Sequence, residues 1–157
     1  MKVIRIFFLA CLLFSCDSDR IYEQNINLEN RYWRVDEPLL FDFMIKDSSQ
    51  PYSVYYNVRN SLEYPYARLF IQYTLSDSTG MQIDKKLNAQ FLFDQKTGKP
   101  FGHSGIGDVF DHRFLIIENY TFRYAGKYQL KIEQFNRQDT LRGILAVGAR
   151  VEKFSPK

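Results

Sequence analysis

The chain has little of what several common functional sites require. It contains two cysteines, two histidines and one tryptophan among 157 residues. Its formal net charge of +3 is too small to create a strong field for nucleic acid. Its main apolar stretch, from Ile6 to Phe14, is shorter than the roughly 20 apolar residues of a transmembrane helix. These absences disfavour a disulfide scaffold, a nucleic-acid-binding protein and a membrane-spanning anchor.

The apolar stretch and its neighbours have the form of a secretory signal peptide. Lys2 and Arg5 precede the stretch, and the small Ser15 and then Cys16 follow it. A cysteine directly after such a cleavage site resembles the bacterial lipobox, so we predict a lipoprotein signal peptide over residues 1–15 and lipidation of Cys16. Several acyl chains anchor stably, because each buried methylene contributes about 0.8 kcal/mol. The alternative is an ordinary secreted protein with an incidental cysteine.

Cleavage at this site would define the mature chain. Lys2, Arg5 and Cys11 leave with the peptide, so basic and acidic side chains nearly balance and Cys16 is the one cysteine left. Neither a disulfide nor a thiolate metal site is then possible within the chain. Residues 16–30 are polar without clear periodicity, and we expect a flexible tether that holds the domain away from the membrane. The expected location is the cell envelope, with the outer membrane favoured.

Alternation of apolar and polar residues dominates the rest of the chain. Segments with the two-residue period of a half-buried strand lie at 41–46, 52–59, 69–75, 127–133 and 143–151. Polar turn sequences separate them. We expect no helix beyond at most one short turn within residues 81–90. The pattern predicts an all-β fold, an antiparallel β-sandwich of the jelly-roll or immunoglobulin-like type, as a single domain over residues 31–154.

No arrangement of residues in the sequence indicates catalysis, a cofactor or a metal. His103 and His112 lie near two aspartates, but their spacing matches no established ligand pattern, and two histidines at loop edges are the simpler interpretation. The glycine-rich stretch 98–107 lacks the lysine, hydroxyl residue and following helix of a phosphate-binding loop. A loop or bulged strand with positive φ explains it. We therefore predict no catalytic residues, no cofactor and no metal site.

The segment from Arg59 to Tyr66 is the most unusual internal sequence. A strand ends there in Arg59 and Asn60, and an aromatic–proline–aromatic turn with Tyr64 and Tyr66 follows. Arginine and tyrosine often anchor protein interfaces, because they combine contact area with hydrogen bonding. We predict a partner-binding surface that contains these four residues. In the structural alternative, Arg59 pairs with a buried acid and the tyrosines pack beneath the turn.

A short sequence in a predicted hairpin turn is a candidate modification site. Asp77-Ser78-Thr79 resembles the acceptor sequence for O-glycosylation in Bacteroidetes, and Ser78 is the candidate acceptor. Such short matches also arise by chance.

Several separated segments of the chain share the pattern of a known family. They are Cys16 with Tyr22, Trp33 ahead of Phe41-Asp42-Phe43, Tyr55 to Asn60 with Tyr64-Pro65-Tyr66, the glycine-rich stretch 98–107, and the segments Gly126-Lys127-Tyr128 and Leu141-Arg142-Gly143. This pattern resembles the gliding-motility lipoprotein GldH family of Bacteroidetes over nearly the whole chain. The resemblance implies a role in gliding over surfaces, alongside other lipoproteins and the type IX secretion apparatus. It brings no catalytic residues, and Cys16 is the one functional position that it transfers.

Three functions are open at this point. The leading hypothesis is a lipid-anchored, non-enzymatic component of an envelope machine, whose partners are the membrane and other envelope or gliding proteins. The alternative is a surface carbohydrate-binding lipoprotein, in which Trp33 and Tyr55 stack on sugar rings. Exposed aromatics on one sheet face would favour that alternative, and buried ones would count against it. A hydrolase would require acids or histidines that converge in a pocket.

Overall fold

Antiparallel strands are the main secondary structure of the computed structural model, which describes residues 18–105 and 107–156. The strands are β1 (Arg20–Asn27), β2 (Tyr32–Arg34), β3 (Leu39–Ile45), β4 (Tyr52–Ser61), β5 (Arg68–Asp77), β6 (Gln82–Phe91), β7 (His103–Ser104), β8 (Val109–Tyr120), β9 (Gly126–Gln134), β10 (Thr140–Arg142) and β11 (Ile144–Lys153). A single turn of 3-10 helix, Glu29–Arg31, follows β1. The described part of the chain holds no helix of the length and apolarity that would cross a membrane. The predicted signal peptide and Cys16 lie outside the described residues.

Two sheets pack face to face. The front sheet has the strand order β1-β11-β4-β8-β7, and the back sheet has the order β3-β9-β5-β6. A small ribbon of β2 and β10 forms a separate pair. Neighbouring strands are antiparallel throughout. The predicted all-β sandwich is confirmed.

The alternation in the sequence directs one face of each sheet into the interior. In β4 the buried row is Tyr52, Val54, Tyr56 and Val58, and in β5 it is Leu69, Ile71, Tyr73 and Leu75. The rows from β3, β9 and β11 meet them across the sandwich. Aromatic side chains bury large apolar areas, so this interior can stabilise the described part of the chain, which contains no cysteine.

The sandwich has two ends with different contents. The N-terminal end contains the start of β1 and the loops 46–51, 78–81 and 121–125. Aromatic rings from both sheets meet there, with Phe122 lying 4.6 Å from Tyr128 and 5.7 Å from Tyr52 between ring centroids. The distal end contains the turns 61–67, 92–102 and 135–139.

The structure corrects the predicted tether over residues 16–30. Residues 20–27 of that segment form β1, which pairs with β11 along its whole length. Tyr22 and Ile26 pack against the core, while Glu23 and Asn25 face outwards. The register shifts between Arg20 and Tyr22, and this bulge interrupts the alternation that would have marked a strand. The folded domain therefore begins well before residue 31.

The short helical turn expected in residues 81–90 is also wrong, because this segment is strand β6. β6 lies at the edge of the back sheet and carries polar residues on its inner side. Asp84 accepts a hydrogen bond from the Tyr73 hydroxyl at 2.8 Å, and Asn88 accepts one from the Tyr56 hydroxyl at 3.0 Å. Because polar residues lie on both faces of β6, its sequence lacks the two-residue alternation of apolar and polar residues that indicates a strand. Inward-facing charge also discourages pairing with the edge of another chain.

A close backbone contact lies where β10 passes into β11. Gly143 has a φ of +81°, and a Cβ at this position would collide with the backbone of Glu63 and Tyr64. Its carbonyl oxygen accepts a hydrogen bond from the Ser61 N–H at 2.9 Å. The turn after β4 can therefore pack here only against a glycine.

We expect Gly143→Ala to lower the free energy of unfolding by roughly 3 kcal/mol or more, because strain and a backbone collision add together. Gly80→Ala is the matched control, since Gly80 has a φ of +84° but nothing within 4 Å of its would-be Cβ. The control should cost about 1 kcal/mol from strain alone. Urea unfolding measures both values. Equal losses in the two variants would show that the contact with the turn at Tyr64 does not matter.

Candidate functional site

The four residues of the predicted partner surface divide into two pairs. Arg59 is exposed, and its guanidinium holds the Asp111 carboxylate through bonds of 2.7 and 3.1 Å. Tyr66 is 40% exposed. Asn60 is 0% and Tyr64 is 3% exposed, so neither side chain can contact a partner in this structure. The prediction is therefore corrected for these two residues.

Tyr64 organises the distal end from within. Its hydroxyl donates to the Arg68 carbonyl oxygen at 3.0 Å and accepts from the Asn136 side-chain amide at 3.0 Å. Its ring packs edge-on against Tyr66, with centroids 5.7 Å apart. Burial raises the pKa of the Tyr64 hydroxyl. Tyr64 thus positions the surface that Tyr66 exposes, which is the structural alternative for this residue.

A set of exposed apolar side chains occupies the distal end. They are Leu62, Tyr66, Phe101 and Phe135, and they define the distal surface. Backbone hydrogen bonds join the turns that carry them. The Ala67 carbonyl oxygen accepts from Leu92 at 2.9 Å, and the Leu92 carbonyl oxygen accepts from Phe101 at 2.8 Å. The Phe135 N–H donates to the Phe70 carbonyl oxygen at 2.8 Å. Exposed apolar side chains at one end of a folded domain mark a candidate interaction site.

A polar network covers the outer face of the front sheet. Its centre is Glu23 on β1, which accepts from Arg150 at 2.9 Å, from Asn57 at 3.0 Å and from Arg113 at 3.3 Å. Arg150 is almost fully buried and also binds Glu152 at 2.7 Å. Burial alone would raise the pKa of Glu23, but the hydrogen bonds from its arginine and asparagine partners lower it below the usual range. The charged side chain of Glu23 therefore links β1 to the next three strands of the front sheet, β11, β4 and β8.

A shallow groove of about 470 Å³ lies beside this network. Its walls are the planar polar groups of Glu23, Asn57, Arg113 and the Arg59–Asp111 pair. Each of these groups already has a partner across the groove. The groove therefore adds polar contacts beside the distal surface.

The two histidines have different environments. His103 is exposed on β7, whereas His112 is buried on β8 and stacks on Phe114 with ring centroids 5.6 Å apart. Burial lowers the pKa of His112 to about 4, so the ring is neutral at physiological pH. No group of three potential ligands for a metal ion occurs among the residues that the structure describes. The interpretation of both histidines as loop-edge residues is wrong for His112, which is buried within β8.

The remaining candidate residues also have defined places. Trp33 is fully buried and donates from Nε1 to the Glu37 carbonyl oxygen at 3.2 Å. Tyr55 is half-buried on the outer face of the front sheet. Ser78 is exposed in the turn between β5 and β6, where the buried Asp77 accepts from the Thr79 N–H at 2.9 Å. O-glycosylation of Ser78 stays a prediction.

The sequence did not indicate two residues that are central to the network and to the distal surface, Glu23 and Phe101. Glu23 lay in the supposed tether, and Phe101 lay in the glycine-rich stretch. The only signal for Phe101 is a large apolar residue within a run of turn formers. For Glu23 no local signal exists, because its partners are Asn57, Arg113 and Arg150 in distant segments.

We expect Glu23→Gln to lower the free energy of unfolding at neutral pH by roughly 1–3 kcal/mol, because Arg150 then keeps only part of its charge compensation in a buried position. Arg59→Gln removes an exposed ion pair instead and should cost less than about 1 kcal/mol. Chemical unfolding of both variants gives the comparison. Similar losses would contradict the central role of Glu23.

Buried His112 should make stability depend on pH. Its pKa is about 6.5 in an unfolded chain and about 4 in the fold, so the unfolded state binds more protons between these values. The free energy of unfolding should therefore fall by roughly 3 kcal/mol as the pH is lowered from about 6.5 to about 4. His112→Phe should abolish this component, whereas His103→Gln should retain it. Thermal unfolding across this range tests the effect, and unchanged pH dependence in His112→Phe would refute it.

Solved structures with a distantly similar arrangement include a viral and a bacterial protein. The VP2 subviral particle of infectious bursal disease virus has a TM-score of 0.38 and 11% identity, covering 87% of this chain and 31% of that chain. Dimeric latent PorU from Porphyromonas gingivalis has a TM-score of 0.35 and 9% identity, covering 87% of this chain and 13% of that chain. At these scores neither structure informs the function of this chain.

Sequence comparison identifies much nearer relatives. The gliding motility lipoprotein GldH homolog of Christiangramia forsetii is 31% identical over 94% of this chain and 93% of the relative. The gliding motility lipoprotein GldH of Flavobacterium johnsoniae is 28% identical over 92% of this chain and 91% of the relative. The family model described as GldH lipoprotein matches residues 20–151. The resemblance found in the sequence is thereby confirmed, and the chain belongs to the GldH lipoprotein family.

Proposed function

We propose that this chain is a gliding-motility lipoprotein of the cell envelope, anchored through Cys16, without enzymatic activity, which acts by binding another envelope protein at its distal surface. The names of its relatives support the assignment to gliding motility. The outer membrane as its address and a link to type IX secretion are parts of the same proposal.

The exposed apolar cluster at the distal end is the observation that carries the binding role. Leu62, Tyr66 and Phe101 lie in turns that backbone and side-chain hydrogen bonds hold in place. Such rigid positioning lowers the conformational entropy that binding must overcome. Arg59 stands on β4 three residues before Leu62 and adds charge at the rim. An apolar centre with a charged rim is the usual composition of a protein interface.

The distribution of titratable groups supports a role without catalysis. The clearest displaced pKa values among the described residues belong to His112, Tyr56, Tyr64 and Tyr73. Burial is the main cause in each case, and Tyr56 and Tyr64 donate their hydroxyl protons to fixed acceptors, Asn88 and Arg68. A catalytic site would instead bring such groups together around a cleft.

The carbohydrate-binding alternative loses its main candidate residue. Trp33 is fully buried, so its ring cannot stack on a sugar in this structure. Tyr55 is half-buried, and burial raises the pKa of its hydroxyl. An exposed row of aromatic side chains would favour glycan binding, and these two residues do not supply one.

We expect Phe101→Asp to reduce the recovery of crosslinked neighbours in living cells by roughly tenfold, since a charge in an apolar contact is strongly unfavourable. Leu87→Asp is the matched control, because Leu87 is 55% exposed on β6, away from the distal end, and Phe101 is 45% exposed. Arg59→Glu should weaken recovery as well. Mass spectrometry of the crosslinked products from a tagged protein names the neighbours.

Two further controls make the result decisive. Each variant must show the same cooperative unfolding as the parent, so that loss of capture is not loss of fold. Cys16→Ala should remove the envelope neighbours altogether. If folded Phe101→Asp and Arg59→Glu recover the same neighbours as the parent, the distal surface is not the binding site. If only abundant envelope proteins are recovered with and without Cys16, the role as an anchored machine component is wrong.

A further inference from the structure

Sheet pairing starts very close to the predicted anchor. The Lys153 N–H donates to the Asp19 carbonyl oxygen at 2.8 Å, so the ordered sheet already includes Asp19. Three residue steps separate Cys16 from Asp19, and a fully extended chain covers about 11 Å in that distance. A lipid on Cys16 would therefore hold the N-terminal end of the sandwich within about one headgroup layer of the bilayer.

The N-terminal end carries basic side chains that no acid neutralises. Lys46, Arg123 and Lys127 are exposed, and none of them forms an ion pair with another residue in the described ranges. The carboxylate of Asp47 at this end is occupied within its own turn, where it accepts from Ser49 at 2.9 Å. The three basic groups are exposed, and the acids Asp42 and Asp47 at this end are also exposed but accept hydrogen bonds from Gln129 and Ser49.

Apolar side chains lie among these basic groups. Met44 is 45% exposed and sits opposite Lys127 in the sheet register, and Met81 is 52% exposed in the loop before β6. A groove of about 630 Å³ opens here, lined in part by Tyr22, Met44, Lys46 and Lys127. Lysines beside flexible apolar chains match an interface between headgroup phosphates and acyl chains.

We propose that the N-terminal end of the sandwich rests on the membrane and that Lys46 and Lys127 bind the phosphates of anionic lipid headgroups. The inference depends on the lipidation of Cys16 in the proposed function. We assign the bilayer as the surface that binds this end, because the short covalent link to a lipidated Cys16 would hold this end against the membrane. Each basic group near an anionic surface contributes about a fivefold factor to binding. The domain then stands upright, with the distal surface turned away from the lipid.

This orientation has a consequence for Ser78. Its turn belongs to the same end and lines the same groove. A glycan at Ser78 and close contact with headgroups would compete for this space. The two states should therefore be alternatives in any one molecule.

The test uses the mature lipidated protein in vesicles that carry a quenching nitroxide in the headgroup region. Cys16 is blocked by its lipid, so an introduced cysteine is the sole site for a fluorophore. Thr121→Cys reports on the N-terminal end, Gln24→Cys on the middle of β1, and Gln95→Cys on the distal end. We expect strong quenching at residue 121 alone, and stronger quenching with phosphatidylglycerol present than with phosphatidylcholine alone.

The charge variants separate headgroup binding from simple tethering. Lys46→Glu with Lys127→Glu should reduce quenching at residue 121 severalfold in vesicles with phosphatidylglycerol, while the protein stays vesicle-bound. Lys96→Glu with Lys99→Glu, a matched pair in the distal loop 94–100, should change nothing. Equal quenching at residues 24, 95 and 121, or none at all three, in vesicle-bound protein would overturn the proposal. So would a lack of effect of the first pair. Failure of the protein to remain on vesicles would contradict the anchoring itself, which is a separate result.

Discussion

The pairing of β1 with β11 is the constraint on which the rest of the structure depends. It takes a polar segment that could have stayed free and joins it to the front sheet through Tyr22, Glu23 and Asn25. Because Glu23 stands beside Arg150, the pairing also compensates a charge that would otherwise be costly to bury. The same pairing covers the edge of β11 and keeps the front sheet from having that strand exposed. Removing β1 would therefore expose a backbone edge and a buried arginine together.

The distal end depends on a second long-range contact, which works in a different way. Tyr64 lies in a turn and not in a strand. Its neighbours Asn136 and Gly143 come from a later part of the chain. Gly143 permits the approach by lacking a side chain, and Asn136 fixes it by hydrogen bonding to the hydroxyl. The buried side chain of Tyr64 thus supports the exposed ring of Tyr66 that packs against it. An interface built on such a base loses little conformational freedom when a partner binds.

These two contacts also explain how far the sequence could be interpreted. Strands β3, β4, β5 and β9 were predictable, because one apolar face of each meets the core and leaves a two-residue period. β1 and β6 were not, because β6 carries polar residues on its inner side and β1 contains a bulge. The composition of the Arg59–Tyr66 segment indicated an unusual region, yet it could not separate exposed Tyr66 from buried Tyr64. That difference is decided by Asn136 and Gly143, which lie more than 70 residues away.

The length of the sandwich connects its two ends to one function. Ten-residue strands such as β4 and β5 span about 33 Å, so a domain held upright on the bilayer would present the distal surface about that far from the lipid. A long flexible tether would leave both the height and the direction of that surface undefined. In the proposed orientation, the three residue steps between Cys16 and Asp19 would restrict both, because Asp19 already accepts a backbone hydrogen bond from Lys153. If the proposed partner binds at a set distance from the membrane, the rigid sandwich would hold the distal surface there, which a long flexible tether could not do.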